Sequence, residues 1–175
     1  FESKCVDAEG KEVPQGQVGE LWVKGACVIK GYLNRPDATA ESITDGWLHT
    51  GDVARKDADG FIYIVDRIKD MVLRGGENIY CAEVETVIFS MEGVAECSVF
   101  GVADDRLGEE VGVAIVLTPG ATLTPADIRA NAAIHMAKHK IPRYIWILDQ
   151  PLPRNASGKF LKRELRDALP VKDAQ

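Results

Sequence analysis

The sequence of 175 residues lacks the patterns that indicate a membrane-spanning, secreted or zinc-binding protein. Its uninterrupted apolar runs, such as Tyr144 to Leu148, are too short to span a bilayer, and no signal-peptide pattern opens the chain. Its four cysteines form no Cys-x-x-Cys pair, which favours free thiols in a reducing compartment over a disulfide frame or a zinc site. We therefore expect a cytoplasmic protein.

Familiar catalytic patterns are also absent. No Ser/His/Asp or Cys/His arrangement stands out, and we interpret Cys81, which opens a predicted helix, as an inert thiol. Gly158-Lys159 lacks the spaced glycines of a P-loop. His135 and His139 have the i, i+4 spacing of two ligands on one helix, but no glutamate completes His-Glu-x-x-His and no third ligand is evident. The sequence thus predicts no metal site.

Charge is unevenly distributed along the chain. The net charge is −6, which argues against nonspecific binding of nucleic acid by the whole chain. Residues 140–175 carry a net +4, which leaves −10 on residues 1–139. A basic tail on an acidic body suits a small anionic ligand, although an ordinary solvated helix face explains it nearly as well.

The order of the predicted elements indicates two parts joined near residue 69. Residues 1–66 are mostly strand-like, whereas strands alternate with amphipathic helices after a charged break at residues 66–70. We predict an α+β protein with its domain boundary at Lys69. Because the chain starts at Phe1, without Met and within a strand-like run, we also expect a piece of a longer protein.

The helices of the second part are predicted from apolar spacing and caps. One covers residues 82–91, and another begins at Thr124, its N-cap, and continues to Ile141-Pro142. The buried face of this second helix is predicted to comprise Ile128, Ala132, Ala133 and Met136.

Three short segments carry residues suited to an anionic ligand. Asp52, in Thr-Gly-Asp, can accept hydrogen bonds from a vicinal diol, but a turn aspartate that satisfies its own backbone has the same pattern. Gly75-Gly76 allows close approach of a ligand, but it equally suits a hairpin turn. Lys159, behind Ser-Gly, can bring an ammonium into a neighbouring site, but it can also be an exposed loop lysine.

Taken together and in order, these segments resemble the adenylate-forming enzymes. The sequence is similar to the C-terminal third of an acyl-CoA synthetase of the fatty-acid or aryl-acid CoA ligase kind, and the resemblance covers essentially the whole chain. The matching segments are Gly19-Glu20-Leu21, Gly31-Tyr32, Gly46 to Asp52, Asp66 to Asp70, Gly75 to Tyr80 with Glu83-Val84-Glu85, and Pro153 to Lys159. One departure is Cys81, which stands where the family has proline.

The resemblance implies a fold, an activity and a set of roles. Residues 1–68 would be the β-rich end of a barrel-like subdomain in a large N-terminal domain, and residues 69–175 a mobile C-terminal lid with a short sheet flanked by helices. The enzyme would form an acyl-adenylate and pyrophosphate from a carboxylic acid and ATP, and then an acyl-CoA and AMP by reaction with coenzyme A. Mg2+ would accompany ATP and be bound mainly by the upstream part.

The resemblance also assigns roles to single residues. Asp52 would bind the ribose hydroxyls, Arg67 would support the nucleotide, and Lys159 would reach the substrate carboxylate and the α-phosphate. Lys69 would be the hinge between two poses of the lid, and Gly75-Gly76 would lie near the pantetheine of coenzyme A. The chain alone is not expected to make an adenylate.

Two other readings remain open at this point. An adenylating enzyme that loads the thiol of a carrier protein would share these segments, although Gly-Gly-Glu-Asn favours coenzyme A as the acceptor. A noncatalytic, stand-alone binding module is the second alternative, against which the strand-rich residues before Lys69 argue.

Overall fold

The computed structural model describes residues 1–175, which divide into two compact units, Phe1–Lys69 and Asp70–Gln175. Each unit contains a five-stranded sheet together with helix, so the α+β prediction is confirmed. The division between the units lies next to Lys69. The identities of the two parts and the hinge role of Lys69 stay predictions.

The first unit is one antiparallel sheet with a single short helix. Its elements are β1 (Glu2–Val6), β2 (Val18–Lys24), α1 (Pro36–Ser42), β3 (Ile43–Thr44), β4 (Trp47–Lys56) and β5 (Ile62–Arg67). Strand β4 pairs with β2 along one edge and with β3 and then β5 along the other. The helix has no buried residue, so the sheet carries the core, in which Cys5, Leu21 and Ala54 pack together.

The second unit contains the other five strands and three helices. Its elements are β6 (Val72–Arg74), β7 (Glu77–Ile79), α2 (Cys81–Phe89), β8 (Val94–Asp104), β9 (Gly108–Leu117), α3 (Pro125–His135), β10 (Tyr144–Leu148) and α4 (Lys162–Ala168). Short 3-10 turns cover Lys138–Lys140 and Val171–Asp173.

Strand β9 is the centre of the second unit. It pairs antiparallel with β8 along one edge, and with β6 (antiparallel) and β10 (parallel) along the other. Its side chains alternate between two cores. In the first core, Val111, Val113 and Ile115 pack with α2 and α3. In the second core, Ala114 packs with Trp146 of β10 and Leu165 of α4. Since both faces are covered, the strand reads as a continuous apolar run.

Helix α3 begins as predicted and ends earlier than predicted. Thr124 is its N-cap, and a capping box joins the Thr124 hydroxyl to the Asp127 amide and the Asp127 carboxylate to the Thr124 amide. The prediction that the helix continues to Ile141-Pro142 is wrong, because Met136 adopts an extended conformation and packs against the first core. Of the predicted buried face, Ile128 and Ala132 are buried and Met136 is partly buried, whereas the prediction for Ala133 is wrong because that side chain is exposed.

The early end of α3 also places the two histidines in different elements. His135 is the last residue of the helix, whereas His139 lies in the separate 3-10 turn, so the two do not share one helix. The expectation that they stand one turn apart on a helix is wrong. No group of three or more His, Cys, Asp or Glu side chains is arranged to hold a metal ion.

Candidate functional site

Asp52 and Arg67 face each other across β4 and β5. They are paired in register, and Arg67 Nε lies 3.0 Å from Asp52 Oδ1. Gly51, with φ of +71°, donates its amide to the Glu20 carboxylate at 3.1 Å, and the Asp52 amide donates to the Thr50 hydroxyl at 3.1 Å. Local bonds thus hold the backbone while the Asp52 carboxylate stays one-third exposed, where it can accept further hydrogen bonds.

The Gly75-Gly76 segment is the turn of the β6–β7 hairpin. Both glycines have positive φ, +58° and +88°, which are the values of a two-residue type I′ turn and which side chains other than Asn or Asp rarely adopt. The Gly75 amide donates to the Leu107 carbonyl at 2.8 Å, in the loop between β8 and β9. The turn is thereby tied to one end of the β8–β9 pair.

A buried carboxylate supports that turn from below. Glu110, only 2% exposed, accepts two hydrogen bonds from the guanidinium of Arg74, at 2.7 and 2.9 Å, and a longer one from Arg143, at 3.4 Å. Burial alone would raise the pKa of the Glu110 carboxyl, but the bonds and charges of Arg74 and Arg143 outweigh it and hold that pKa below its ordinary 4.5. Glu110 therefore stays ionised and fixes the residue that precedes the two glycines.

Lys159 lies at the tip of an exposed loop between β10 and α4. Asn155 organises this loop: its side-chain oxygen accepts the amides of Ser157 and Lys159, and its backbone bonds to Gly158 and Lys159. Gly158, with φ of +80°, makes the turn possible. The backbone of Lys159 is thus held at its N–H and at its carbonyl, while the side chain is exposed.

A second set of bonds ties the loop to β8. The Glu96 carboxylate accepts the Leu152 amide at 2.8 Å and the Arg154 guanidinium at 2.9 Å, and Arg154 also donates to the Gly158 carbonyl at 2.9 Å. The hydrogen bond from the Leu152 amide holds the pKa of Glu96 below its ordinary 4.5; burial opposes this, and the contact with Arg154 adds to it. Glu96 is therefore an anion that joins β8 to the entering side of the loop, and Arg154 extends the connection to the returning side at Gly158.

The glycine turn and the lysine loop lie at opposite ends of the β8–β9 pair. Gly108 of β9 pairs with Arg74, beside the glycines, whereas Val116 of β9 pairs with Glu96, which holds the lysine loop. The eight-residue separation along the strand corresponds to ~27 Å at ~3.4 Å per residue. The structure thus brings Asp52 and Arg67 together, and it keeps Lys159 and Gly75 far apart within the second unit.

Sequence reasoning missed the residues that hold these loops. Glu96 and Glu110 each lie in a strand, and no local spacing relates them to Arg154 and Arg74, far away in sequence. The only available signal was Arg154 itself, which lies within the Pro153 to Lys159 segment. Cys81 also has a structural role, because its thiol donates to the Asp70 carbonyl at 2.8 Å.

None of the four cysteines forms a disulfide, and Cys27 is the exposed one. Burial raises the pKa of the Cys97 thiol to about 12, which leaves it protonated. None of the helices is both long and apolar enough to cross a bilayer.

Comparison with known families matches the second unit to a described domain. Residues 83–159 match the AMP-binding enzyme C-terminal domain. The chain is 45% identical over 165 residues to the fatty acid–[acyl-carrier-protein] ligase ScoC of Streptomyces coeruleorubidus, covering 94% of this chain and 32% of that protein. It is 45% identical over 157 residues to a feruloyl-CoA synthase of Amycolatopsis, covering 90% of this chain and 32% of that protein.

Solved structures of similar sequence also match almost the whole of this chain. ATP-bound MatB from Rhodopseudomonas palustris is 37% identical with a TM-score of 0.90, covering 95% of this chain and 33% of that one. The o-succinylbenzoate CoA synthetase MenE of Bacillus subtilis, in complex with an acyl-adenylate, is 39% identical with a TM-score of 0.88, covering 97% of this chain and 34% of that one. The chain spans about a third of the length of the relatives that it matches.

Proposed function

We infer from residues 83–159, which belong to the AMP-binding enzyme C-terminal domain family, that this chain serves as the C-terminal third of an ATP-dependent carboxylic acid–CoA ligase. In the first half-reaction an oxygen of the acid attacks the α-phosphate of ATP, which releases pyrophosphate and gives an acyl-adenylate. In the second, the thiol of coenzyme A attacks the acyl carbon and AMP leaves. The acid of the proposal is a fatty or aryl acid, in keeping with the names of the relatives.

Asp52 and Arg67 are the nucleotide-binding residues of the proposal. A partly exposed carboxylate can accept hydrogen bonds from both hydroxyls of a ribose, and the guanidinium 3.0 Å away orients it. An exposed ion pair contributes little to folding stability. Binding of a ligand therefore explains the presence of this pair better than stability does. Mg2+ would accompany ATP and be held outside these residues.

Lys159 is the catalytic residue of adenylation in this proposal. Carboxylate and phosphate repel each other, and an ammonium placed between them stabilises the charge that develops as the new bond forms. The loop supports this role because it fixes the lysine backbone and leaves the side chain exposed. Gly75 and Gly76 serve the second half-reaction, since a turn without Cβ atoms leaves room for the thiol arm of coenzyme A.

The placement of the two loops carries the proposal. The two strand positions that hold these loops, Gly108 and Val116, are ~27 Å apart along β9, so we expect the residue for adenylation and the turn for thioester formation to act in different poses of the second unit. Two poses in turn, with Lys69 as the hinge between the units, would let each loop act in its own half-reaction. The proposed protein is therefore a cytoplasmic ligase whose second unit alternates between two positions.

The acceptor thiol has one specific alternative. ScoC, whose name states a carrier-protein acceptor, is as similar to this chain, at 45% identity, as the feruloyl-CoA synthase is. A ligase that loads a carrier protein would use the same adenylation residues and differ in the second acceptor. Supplying the formed adenylate with either coenzyme A or a phosphopantetheinylated carrier protein distinguishes the two.

The test is Lys159→Ala in the full-length protein, with each half-reaction measured separately. Acid-dependent exchange of pyrophosphate into ATP, assayed with ferulate, 2-succinylbenzoate and palmitate, is expected to fall about a hundred- to thousandfold. Conversion of supplied acyl-adenylate to thioester is expected to stay near the wild-type rate. Lys172→Ala, an exposed lysine outside the loop, is the matched control and should change neither rate.

The outcomes separate the alternatives. If Lys159→Ala retains both activities, Lys159 is an exposed loop lysine without a role in adenylation. Absence of exchange in the wild-type protein with every acid would contradict the ligase itself.

A further inference from the structure

We propose that Glu96 and Arg154 are positioning residues that set the place of Lys159 for adenylation. They form a clamp, here called the Glu96–Arg154 clamp, between β8 and the loop that carries the lysine. This inference rests on the proposed function, because it names the residues through which Lys159 would be aimed.

The clamp engages the loop at three points. Glu96 accepts the Leu152 amide, at 2.8 Å, where the chain enters the loop. Through Arg154, at 2.9 Å, it also reaches the Gly158 carbonyl, at 2.9 Å, next to Lys159. One carboxylate on the sheet thereby fixes both sides of the loop relative to β8.

Arg154 is suited to this task by its shape. Its planar guanidinium spans Glu96 and Gly158 with separate nitrogens, and it lies 4.0 Å from the ring centre of Phe160, on which it stacks. Arg154 and Phe160 are also paired as an isolated β-bridge. A lysine would keep the charge but could not make these contacts together.

The rest of the loop has no apolar anchor. Leu152 and Phe160 pack in the second core, but no side chain from 153 to 159 is buried. Asn155 shapes the turn internally, without bonds to the sheet. Between the core residues Leu152 and Phe160, the clamp therefore supplies the side-chain bonds that tie the loop to the sheet. A displacement of about 1 Å at a reacting group can cost about a hundredfold in rate.

The experiment uses the full-length protein, with Glu96→Ala, Glu96→Gln and Arg154→Ala. Acid-dependent pyrophosphate exchange, with ferulate, 2-succinylbenzoate and palmitate as acids, is expected to fall about 10- to 100-fold in the alanine variants. Thioester formation from supplied adenylate should stay within about twofold of wild type. Glu96→Gln should show an intermediate loss, since an amide has one acceptor oxygen for two donors. Glu92→Ala, an exposed glutamate four residues earlier, should behave as wild type.

A double variant distinguishes positioning from general damage. If the clamp acts through Lys159, adding Glu96→Ala to Lys159→Ala should cause no further loss of exchange, whereas independent damage would multiply the two losses. Faster hydrogen exchange at the Lys159 amide in Glu96→Ala, with unchanged amides in β9, is the expected structural signature.

Each contrary result has a definite meaning. Wild-type exchange in Glu96→Ala, equal loss of both half-reactions, or multiplied losses in the double variant would each overturn the clamp and leave the ligase in place. Absence of exchange in the wild type, or its retention by Lys159→Ala, would instead overturn the proposed function and the clamp's role with it.

Discussion

The Arg74–Glu110 pair shows how single charges organise the second unit. Glu110 is buried among apolar residues of β9, and its two short bonds to Arg74 satisfy a carboxylate that burial would otherwise destabilise. Arg74 keeps 26% of its side chain exposed, so the pair connects the sheet interior to the surface beside Gly75.

Glu110→Ala is expected to lower the free energy of unfolding of the second unit by about 3 kcal/mol. This is the low end of the range for breaking a buried pair, because the partly exposed Arg74 can be solvated once its partner is lost. Urea unfolding followed by Trp146 fluorescence, in a background with Trp22 and Trp47 replaced by phenylalanine, measures the change.

Acid should weaken the same contact. Because the folded pKa of Glu110 lies below 4.5, the unfolded chain binds more protons at acidic pH. The stabilisation is complete above pH 4.5 and is lost as pH falls through the folded pKa. Glu110→Gln removes the titrating group, so equal loss of stability with acid in the wild type and in this variant would contradict the assignment.

Residues were predictable from the sequence where they form ordered local segments, and not where they act as distant partners. Asp52 was identified from its Thr-Gly-Asp segment and Arg67 from the family resemblance, and the structure adds that the two side chains are in contact. Glu96 could not be found, because its partner Arg154 is 58 residues away and a single glutamate in a strand has the pattern of any solvent-facing side chain.

Elements were predictable where local chemistry alone decides them. The apolar run Tyr144–Leu148 forms strand β10, and Gly75-Gly76 forms a hairpin turn, as its composition suits. The predicted helix α3 was too long, because Met136 packs against the first core in an extended conformation and ends the helix. Periodicity does not detect such an end, since a partly buried methionine fits either conformation.

At this scale, Gly75→Asn separates the shape of the β6–β7 turn from its proposed role. Asparagine adopts the positive φ of a type I′ turn, and the added Cβ would meet only the flexible end of Leu107, at 3.1 Å. The hairpin and adenylation should therefore be retained, while thioester formation should fall at least about tenfold because a side chain enters the space of the thiol arm.

The matched control for the turn is Gly120→Asn. Gly120 has φ of +85° and open space around its Cβ position, and it lies in an unrelated loop of the same unit. Both half-reactions should be unaffected by this change. Unimpaired thioester formation by Gly75→Asn would assign the glycines to hairpin geometry alone.

At the scale of the whole molecule, the chain has two compact units and a short connection. Strand β5 ends at Arg67 and β6 begins at Val72, so four residues join the units. The Ile68 amide still donates to the Gly51 carbonyl of the first unit, at 2.9 Å, whereas Lys69 is exposed. Backbone freedom at Lys69 is therefore the simplest source of the two poses that the proposal requires.

Lys69→Pro tests that freedom directly. Proline fixes φ near −65° and also restricts residue 68, so it should favour one pose over the other. The ratio of adenylation to thioester formation should change by at least about tenfold, equivalent to about 1.4 kcal/mol between the two barriers. Lys69→Ala removes the side chain and keeps the backbone freedom, so its ratio should match the wild type. If both variants change the ratio equally, the lysine side chain matters and the backbone does not; if neither does, the units move about another residue.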